Sequence, residues 1–531
     1  MNVLRLSLSS LSALLLSSLP IAAQHDPGRD AVRILAKGDA QGTLKAVVKD
    51  PNNKNSPIDE AEIQFVQMMV ACHQNKPEEA FEFAKKAVSN GLPVTRLQSG
   101  PREKIRVLHG HEPYLKWVAD RSSPMVHGPM IGSVTDHSAL FWVRTAMECE
   151  VMIDVFHPKV GDAIGLSELK FLTDATKDYT GTIEIRGLQP DTRYTYNVCI
   201  DGKKMAEGLE FRTMPKAGDP AKFSIAFGGG AGYTPKFEHM WTTIAKRGPS
   251  ALLLLGDNVY IDDPEHQLTN DYCYYRRQSQ PLWRSLVART PVYAIYDDHD
   301  FGLNDCNPGP EIEVPAWKRS VWQTFRNNWV NPAYAGGDKQ PGCWFGFHIG
   351  QVHFIMLDCR YYRDLEGGSM LGPVQKAWLL DTLKNSKGVF KVIVSSVPWS
   401  PGVKGGSKDT WDGFADEREE IFSTIEKNKI AGVLLMAADR HRTDYRKIAR
   451  PNGYDLYEVM SSRLTNVHTH GLMQNAKGSE FIMGYNKTCS FGLVEFDTTT
   501  EDPTLTYTMV DIDNQEQGKA TLKLSELGFA K

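Results

Sequence analysis

The pattern of apolar and polar positions changes character twice along the chain. Between residues 28 and 121 apolar residues recur at helical spacing, in DAVRILAKGDAQGTLKAVV, EAEIQFVQMMVACHQ and PEEAFEFAKKAVSNG. Asn90-Gly91 closes the third segment with a pair that stops helices. Short paired helices follow from this, a packing or partner module without chemistry of its own, over residues 24–122. From 123 to 215 the period shortens to two. HSALFWVRT, CEVMIDVF, GTIEIRGL, RYTYNVCIDG and LEFRTM read as strands between turn residues, with Tyr194, Tyr196, Val198 and Ile200 alternating onto one face. Strands this short and this closely spaced predict a small all-β sandwich. TMPKAGDPAK, 213–222, reads as a linker.

Beyond residue 223 the apolar runs stop alternating. ALLLLGD (251–257), VYAIYDDHD (292–300), VHFIMLD (352–358) and GVLLMAAD (432–439) each end in acid, whereas VIVSSVPW (392–399) ends in polar residues. Helical stretches such as GPVQKAWLLDTLKNS lie between some of them. Near-continuous apolar strands are what a sheet covered on both faces requires. In such α/β folds ligands sit beyond the carboxyl ends of the strands. Four runs ending in Asp therefore point four carboxylates at one edge. The pattern alone does not separate two packed sheets from one doubly wound sheet.

Those acids set the chemistry. YDDHDFGLND (296–305) puts four aspartates and a histidine into ten positions. Carboxylates so crowded must be protonated or share a cation. With His299 and His441 among them, a metal site is the economical reading, and Asp and His donors suit iron, manganese, zinc or calcium. Two metal ions close together bridge a water, lower its pKa and clamp a phosphoryl group. For any one motif the plainer reading is a turn or helix-cap aspartate. Four acids after four apolar runs make coincidence the weaker explanation.

Length and composition narrow the setting. At 531 residues the chain is too long for one core. A net charge of −4 gives no footprint for nucleic acid or an anionic membrane surface. The N-terminus, MNVLRLSLSSLSALLLSSLPIAAQHD, has a basic residue at Arg5, an apolar core and small residues at Ala22 and Ala23. It reads as a secretory signal over residues 1–23 and implies a secreted or periplasmic protein. No later run is long and uncharged enough to span a membrane. Eight cysteines without a CxxC spacing leave room for one or two disulfides but define no zinc motif. The histidine pairs at 109/111 and 468/470 read as ordinary surface residues, although His470 follows the acid-ending runs in the same part of the chain and could approach their site.

The motifs resemble a known family. LGDNVY (255–260) has the GDxxY pattern of metallophosphatases that place a tyrosinate on ferric iron. YDDHDFGLND resembles the DDH(D/E) motif of the alkaline phosphatase D (PhoD-like) family, and LDCRYYRD (357–364) its LDxRxYR segment. GPVQKAWLLDTL and VIVSSVPW resemble the helix and strand that follow, AADRHRTD (437–444) stands in the place of GDxH, and YEVMSSRLTN (457–466) in that of a later SS segment. The order is right and the resemblance covers roughly residues 125–531. Purple acid phosphatases share GDxxY, but neither GNHE nor GHxH is present. GLQPDTRYTYNVCIDG is similar to a fibronectin type III domain, which says nothing about chemistry.

The resemblance implies a metallophosphatase-type β-sandwich core flanked by helices over residues 219–531, preceded by the small β domain. It implies hydrolysis of a small-molecule phosphomonoester or phosphodiester with two divalent or trivalent metal ions. Asp257 would bridge the metals, Tyr260 would bind the more oxidised one, and Asp298, Asp439 and His441 would complete the shell. His299 would face the leaving group or the phosphoryl oxygens. Arg360 and Arg440 would bind substrate oxygens, a guanidinium matching phosphate, or else pair with a neighbouring Asp. One residue departs from the family. Its first strand ends with a cysteine that ligates iron, and in FSIAFGGGAGY (223–233) Gly230 falls at that place. The glycine run either lets backbone N–H groups approach an anion or makes a tight turn. Without the thiolate the first metal is expected to be divalent. A second reading stays open, in which a degenerate relative keeps the scaffold and acts as a binding or surface protein. The partner of the helical module and the ester are not specified by the sequence.

Overall fold

The computed structural model describes residues 26–47, 58–157 and 170–529; the signal segment lies outside them. Among these residues the N-terminal module has seven helices between Pro27 and Ala119. The first is started by the Asp26 side chain, which accepts from the Arg29 N–H, with Pro27 at the first helical position. The Glu60–His73 helix is buried along most of its length, with Phe65, Val66, Met68 and Met69 fully enclosed. The module packs on the later helix Gln267–Gln278 through polar contacts that are themselves buried. Arg276 pairs with Asp26 and Tyr272 Oη donates to Glu62 at 2.8 Å, while Arg96 holds the same Glu62 from within the module.

Residues 125–212 form two layers. The strands Met125–Gly132, Ser138–Thr145 and Thr180–Arg186 make one, and Glu150–Phe156, Lys170–Leu172, Arg193–Ile200 and Lys203–Arg212 make the other. Tyr194, Tyr196, Val198 and Ile200 all face the space between them and are buried. The three-stranded layer does not stand apart. Gly132 lies beside Val292 in parallel register, so the layer forms the edge of a nine-stranded sheet that continues into the catalytic part. The strand that makes this joint, MVHGPMIG, has no sequence signature, because Gly128 and Pro129 interrupt its pattern.

The catalytic part is built on two sheets. Parallel strands Lys222–Gly228, Ala251–Leu255 and Val292–Ile295 lie at the centre of the nine-stranded sheet. Val352–Met356, Phe390–Val394, Val433–Ala437 and Leu456–Ser461 run parallel in a seven-stranded one. These central strands are buried at almost every position, which is why their sequences read as unbroken apolar runs. The sheets pack face to face: Phe496 of the first contacts Phe354 and Phe390 of the second at centroid distances of 5.9 and 5.7 Å. The architecture is the expected α/β class with two sheets rather than one doubly wound sheet. All eight cysteines are free thiols, so no disulfide ties the layers.

The sheet joint at Gly132 is tight enough to test. A Cβ there would stand 2.2 Å from the Val330 carbonyl oxygen and 2.7 Å from that of Val292. Gly132→Val is therefore expected to lower stability by about 1–3 kcal/mol, the usual cost of overpacking, measured as the midpoint of urea unfolding. An unchanged midpoint would mean that the β layers do not close on the catalytic sheet in this way.

Candidate metal centre

Four loops at the carboxyl ends of the strands make the site, and their backbones are bent to do so. Asp257, Asp262, Asp439 and His441 all hold left-handed conformations, with φ of 54°, 50°, 66° and 45°. Side-chain-bearing residues avoid this region, at a cost of roughly 1–3 kcal/mol each, and it concentrates at functional sites. Gly256, at φ 103°, lets two of the loops touch: a Cβ on it would stand 2.4 Å from the Asp297 Cβ.

Asp257, Asp298 and His299 each bring a ligand atom within 4.8 Å of the others, and all three are buried. Tyr260 Oη donates to Asp257 Oδ2 at 3.0 Å and lies 3.0 Å from His441 Nε2, which is 3.6 Å from the same carboxylate oxygen. Asp257 Oδ1, Asp297 Oδ2, Asp298 Oδ1 and His441 Nδ1 are buried without a hydrogen-bond partner. Buried polar atoms are normally paired, so this set of oxygens and nitrogens fits a cation. Electrostatics agree. Burial, reinforced by Asp298, Asp297 and Asp300, pushes the Asp257 carboxyl well above its ordinary range despite His299. Burial and the Asp257 carboxylate likewise hold the Tyr260 phenol far above 10. Both groups become good anionic donors only beside a positive ion.

The dense acidic stretch divides its labour. Asp297 and Asp300 form a reciprocal capping box at the start of the short helix Asp298–Phe301, and Asp300 also accepts from the Val259 N–H at 2.8 Å. Burial raises Asp300 to about 8 even so. Asp305 sits outside the metal pocket, its N–H donating to Asp298 Oδ2 at 2.6 Å and its carboxylate accepting from Lys404 at 3.0 Å. Only Asp298 and His299 of YDDHDFGLND face the cluster. His299 is fixed by a residue that no motif signalled: its Nδ1 lies 2.5 Å from Asp262 Oδ1. The other Asp262 oxygen accepts from Arg29, on the first helix of the N-terminal module. Burial alone would lower His299, but Asp262, Asp298 and Asp257 together raise its pKa well above 6.5.

One expectation is corrected and two open alternatives are decided. Of its two readings, Arg360 takes the ion pair with neighbouring aspartates. It is fully buried, with Nε 2.5 Å from Asp297 and Nη1 2.6 Å from Asp409, and it serves as counter-charge to the acids. Asp358 does not join the other strand-end carboxylates; it caps its own turn, accepting from the Arg360 and Tyr361 N–H groups at 2.9 Å each and from Cys343. The glycine run makes no anion nest, because the N–H groups of Gly229, Gly230 and Ala231 donate to the carbonyls of Ser461, Gly256 and Asp257. Gly230 itself has φ 65°, and a Cβ on it would lie 2.3 Å from the Ser462 carbonyl oxygen. Backbone fills the place where the family carries a thiolate.

The remaining residues sit at the rim. Arg440 leaves its Nε buried without a partner and touches Asp439 only at 3.5 Å, so its guanidinium is free to take an anion. Asp439 stands 3.9 Å from Lys404 and belongs to neither close-ligand group around Asp257 and His441. Lys404 and Asp409 escaped sequence reading because their loop, GVKGGSKDTWDG, follows the one apolar run that does not end in acid. Asp262 had a faint signal outside any motif, the acid pair that closes GDNVYIDD. The Asp298, Asp305 and Asp409 group could also hold an ion, but Arg360, Arg363 and Lys404 already neutralise it.

Comparison with known proteins places this geometry. Residues 225–507, more than half of the chain, match the PhoD-like phosphatase family, and residues 122–217 match a domain of unknown function (DUF7800). The chain is 22% identical over 311 residues to alkaline phosphatase D of Bacillus subtilis (strain 168), a match covering 49% of this chain and 52% of that protein. It thus spans about half the length of this curated relative. The fold is shared with the solved structure of PhoD, at a TM-score of 0.61 and 16% identity over 74% of this chain and 88% of that one. It is shared also with the purple acid phosphatase PPD1 of yellow lupin (Lupinus luteus), at a TM-score of 0.56 and 13% identity over 75% of each chain.

The Asp262 contact gives a direct test. Its carboxylate raises the His299 pKa, so Asp262→Asn should lower it, and the ring should lose its proton at lower pH. NMR titration of the His299 ring measures this. A pKa equal to that of the unaltered protein would remove Asp262 from the role.

Proposed function

The chain belongs to the PhoD-like phosphatase family, and on that premise we propose that it is a metal-dependent phosphoesterase acting on small phosphomonoesters or phosphodiesters. The observation that carries the reading is the convergence of Asp257, Asp298 and His299, with carboxylate oxygens buried and unpartnered. Asp257, Asp298 and His441, with Tyr260 once its phenol is ionised, would hold the ions, zinc, manganese, calcium or iron. When bound, two such ions supply a water of lowered pKa and positive charge for the phosphoryl oxygens.

The chain's own residues do the rest. Asp262 engages Nδ1 of His299, which leaves Nε2 to hold a proton toward the leaving group or a phosphoryl oxygen. The surrounding carboxylates keep that imidazole protonated above its usual range. Arg440 and Lys404 at the rim offer donors to the remaining phosphate oxygens and orient the ester. Burial of the whole cluster keeps bulk water from screening these charges. The apolar run at the N-terminus supports a secreted or periplasmic setting, and among the described residues no helix is long and apolar enough to cross a membrane. The alternative, a binding protein without chemistry, draws only on Gly230, whose missing side chain the Ser462 backbone replaces.

Two substitutions test the roles. Asp257→Asn should reduce bound metal and abolish hydrolysis of phosphomonoester and phosphodiester reporters while circular dichroism stays native. Full metal content with full activity would end the assignment. His299→Ala should keep its metal and lose about 10²–10⁴-fold in turnover, the range for general acid–base assistance. Parallel loss of metal would make His299 a ligand instead.

A further inference from the structure

Three imidazoles meet beside the acid cluster. His441 is on the turn after the Val433–Ala437 strand, and His468 and His470 lie on the loop after Leu456–Ser461. One ligand nitrogen from each lies within 4.8 Å of those of the other two. The ring of His468 stands edge-on to His441 and His470, at 5.3 and 4.6 Å between centroids, while His441 and His470 lie nearly parallel at 5.6 Å.

The loop is fastened so that these rings stay together. Thr469, between the two histidines, donates its hydroxyl to the His441 carbonyl at 2.9 Å. The His468 N–H donates to Asn466 Oδ1 at 2.8 Å, and Asn466 Nδ2 reaches the Tyr260 hydroxyl at 2.7 Å. Asn486 holds the His470 carbonyl at 2.9 Å. None of this fastening uses a ring nitrogen of His468 or His470, and among the described residues those nitrogens have no hydrogen-bond partner. His441 is only 6% exposed, and its Nδ1 is buried with no partner at all. His441 keeps its Nε2 on the Tyr260 hydroxyl at 3.0 Å, so Nδ1 of His441 and the rings of His468 and His470 are what the hydrogen bonds of the loop leave unused.

We propose that His441, His468 and His470 hold one divalent transition ion of the imidazole-preferring kind, with zinc as the type. The proposal rests on the phosphoesterase reading and gives one of its ions a donor class that differs from a thiolate–tyrosinate set. Imidazole suits zinc, copper, nickel and iron, whereas calcium requires oxygen. Three protein ligands with an open fourth position is the arrangement of zinc sites that bind water or substrate. A metal–nitrogen distance of about 2.1 Å brings tetrahedral donors to roughly 3.4 Å from one another. Rotation of the half-exposed His468 and His470 rings closes the gap from the present spacing.

The test uses full-length protein stripped with a chelator and reloaded with Co(II), a spectroscopic stand-in for zinc. The readouts are metal stoichiometry and the visible absorption of cobalt bound to few nitrogen ligands. The His468→Ala/His470→Ala double variant should lose about one equivalent of metal and that absorption, since an open site needs three protein ligands. It should keep a native circular dichroism spectrum and the ion at Asp257 and Asp298. Each single variant should weaken the band, which guards against a misfolded double variant. A double variant with unaltered stoichiometry and spectrum would overturn the proposal. If the unaltered protein then still hydrolysed phosphoester reporters in a metal-dependent way, the phosphoesterase reading would stand without it. Absence of hydrolysis in the fully loaded, unaltered protein would remove that reading whatever the cobalt spectrum showed.

Discussion

The structure depends on keeping many carboxylates close together out of water. Asp257, Asp262, Asp297, Asp298, Asp300, Asp358 and Asp409 are each no more than 6% exposed. Isolated buried charges are too costly to persist, so each must be paired, hydrogen-bonded or neutral. The fold supplies these partners one by one. Arg360 serves Asp297 and Asp409, Arg363 and Lys404 serve Asp409, and Arg29 and His299 serve Asp262. Backbone N–H groups satisfy Asp300 and Asp358. What remains is a small set of unpartnered atoms on Asp257, Asp297, Asp298 and His441. Buried arginines and backbone N–H groups together thus delimit the metal site, because they take up the acids around it.

The same constraint ties the modules together. Arg29 comes from the first helix of the N-terminal module and ends on the carboxylate that positions His299. Removing one partner of such a buried pair leaves an uncompensated charge, which typically costs 3–5 kcal/mol. The helical module is therefore part of the catalytic scaffold rather than an appendage. The β layers contribute differently, by extending the nine-stranded sheet from Val292, three residues before the strand ends that carry the acids.

Much of this was legible in the sequence because it follows from periodicity. Buried parallel strands had to be apolar throughout, and acids after them had to face the ligand edge, so the pattern pointed to Asp257, Asp298, His299 and His441, which the structure brings together. The failures are as instructive. Asp358 has the same strand-end position as Asp257, but one of its oxygens is used by the turn that follows and the other by the Cys343 N–H and the Tyr296 hydroxyl, a competition that no strand pattern reveals. Arg360 matched a phosphate-binding type, yet its fate depended on Asp409, 49 residues away in an irregular loop. Asp262 and Arg29 are 233 residues apart in sequence. Long-range pairs of charged residues leave no periodic trace, so their roles emerge only from the packed structure.

The account's central claim is that a metal ion, not protonation, makes the acid cluster tolerable and chemically useful. The most direct measurement is hydrolysis of a phosphoester reporter by the protein as purified, after removal of metal by a chelator, and after return of zinc, manganese, calcium or iron in turn. The account predicts that activity disappears with the metal and returns with at least one of these ions, while the fold persists throughout. Equal activity in fully stripped protein would contradict it.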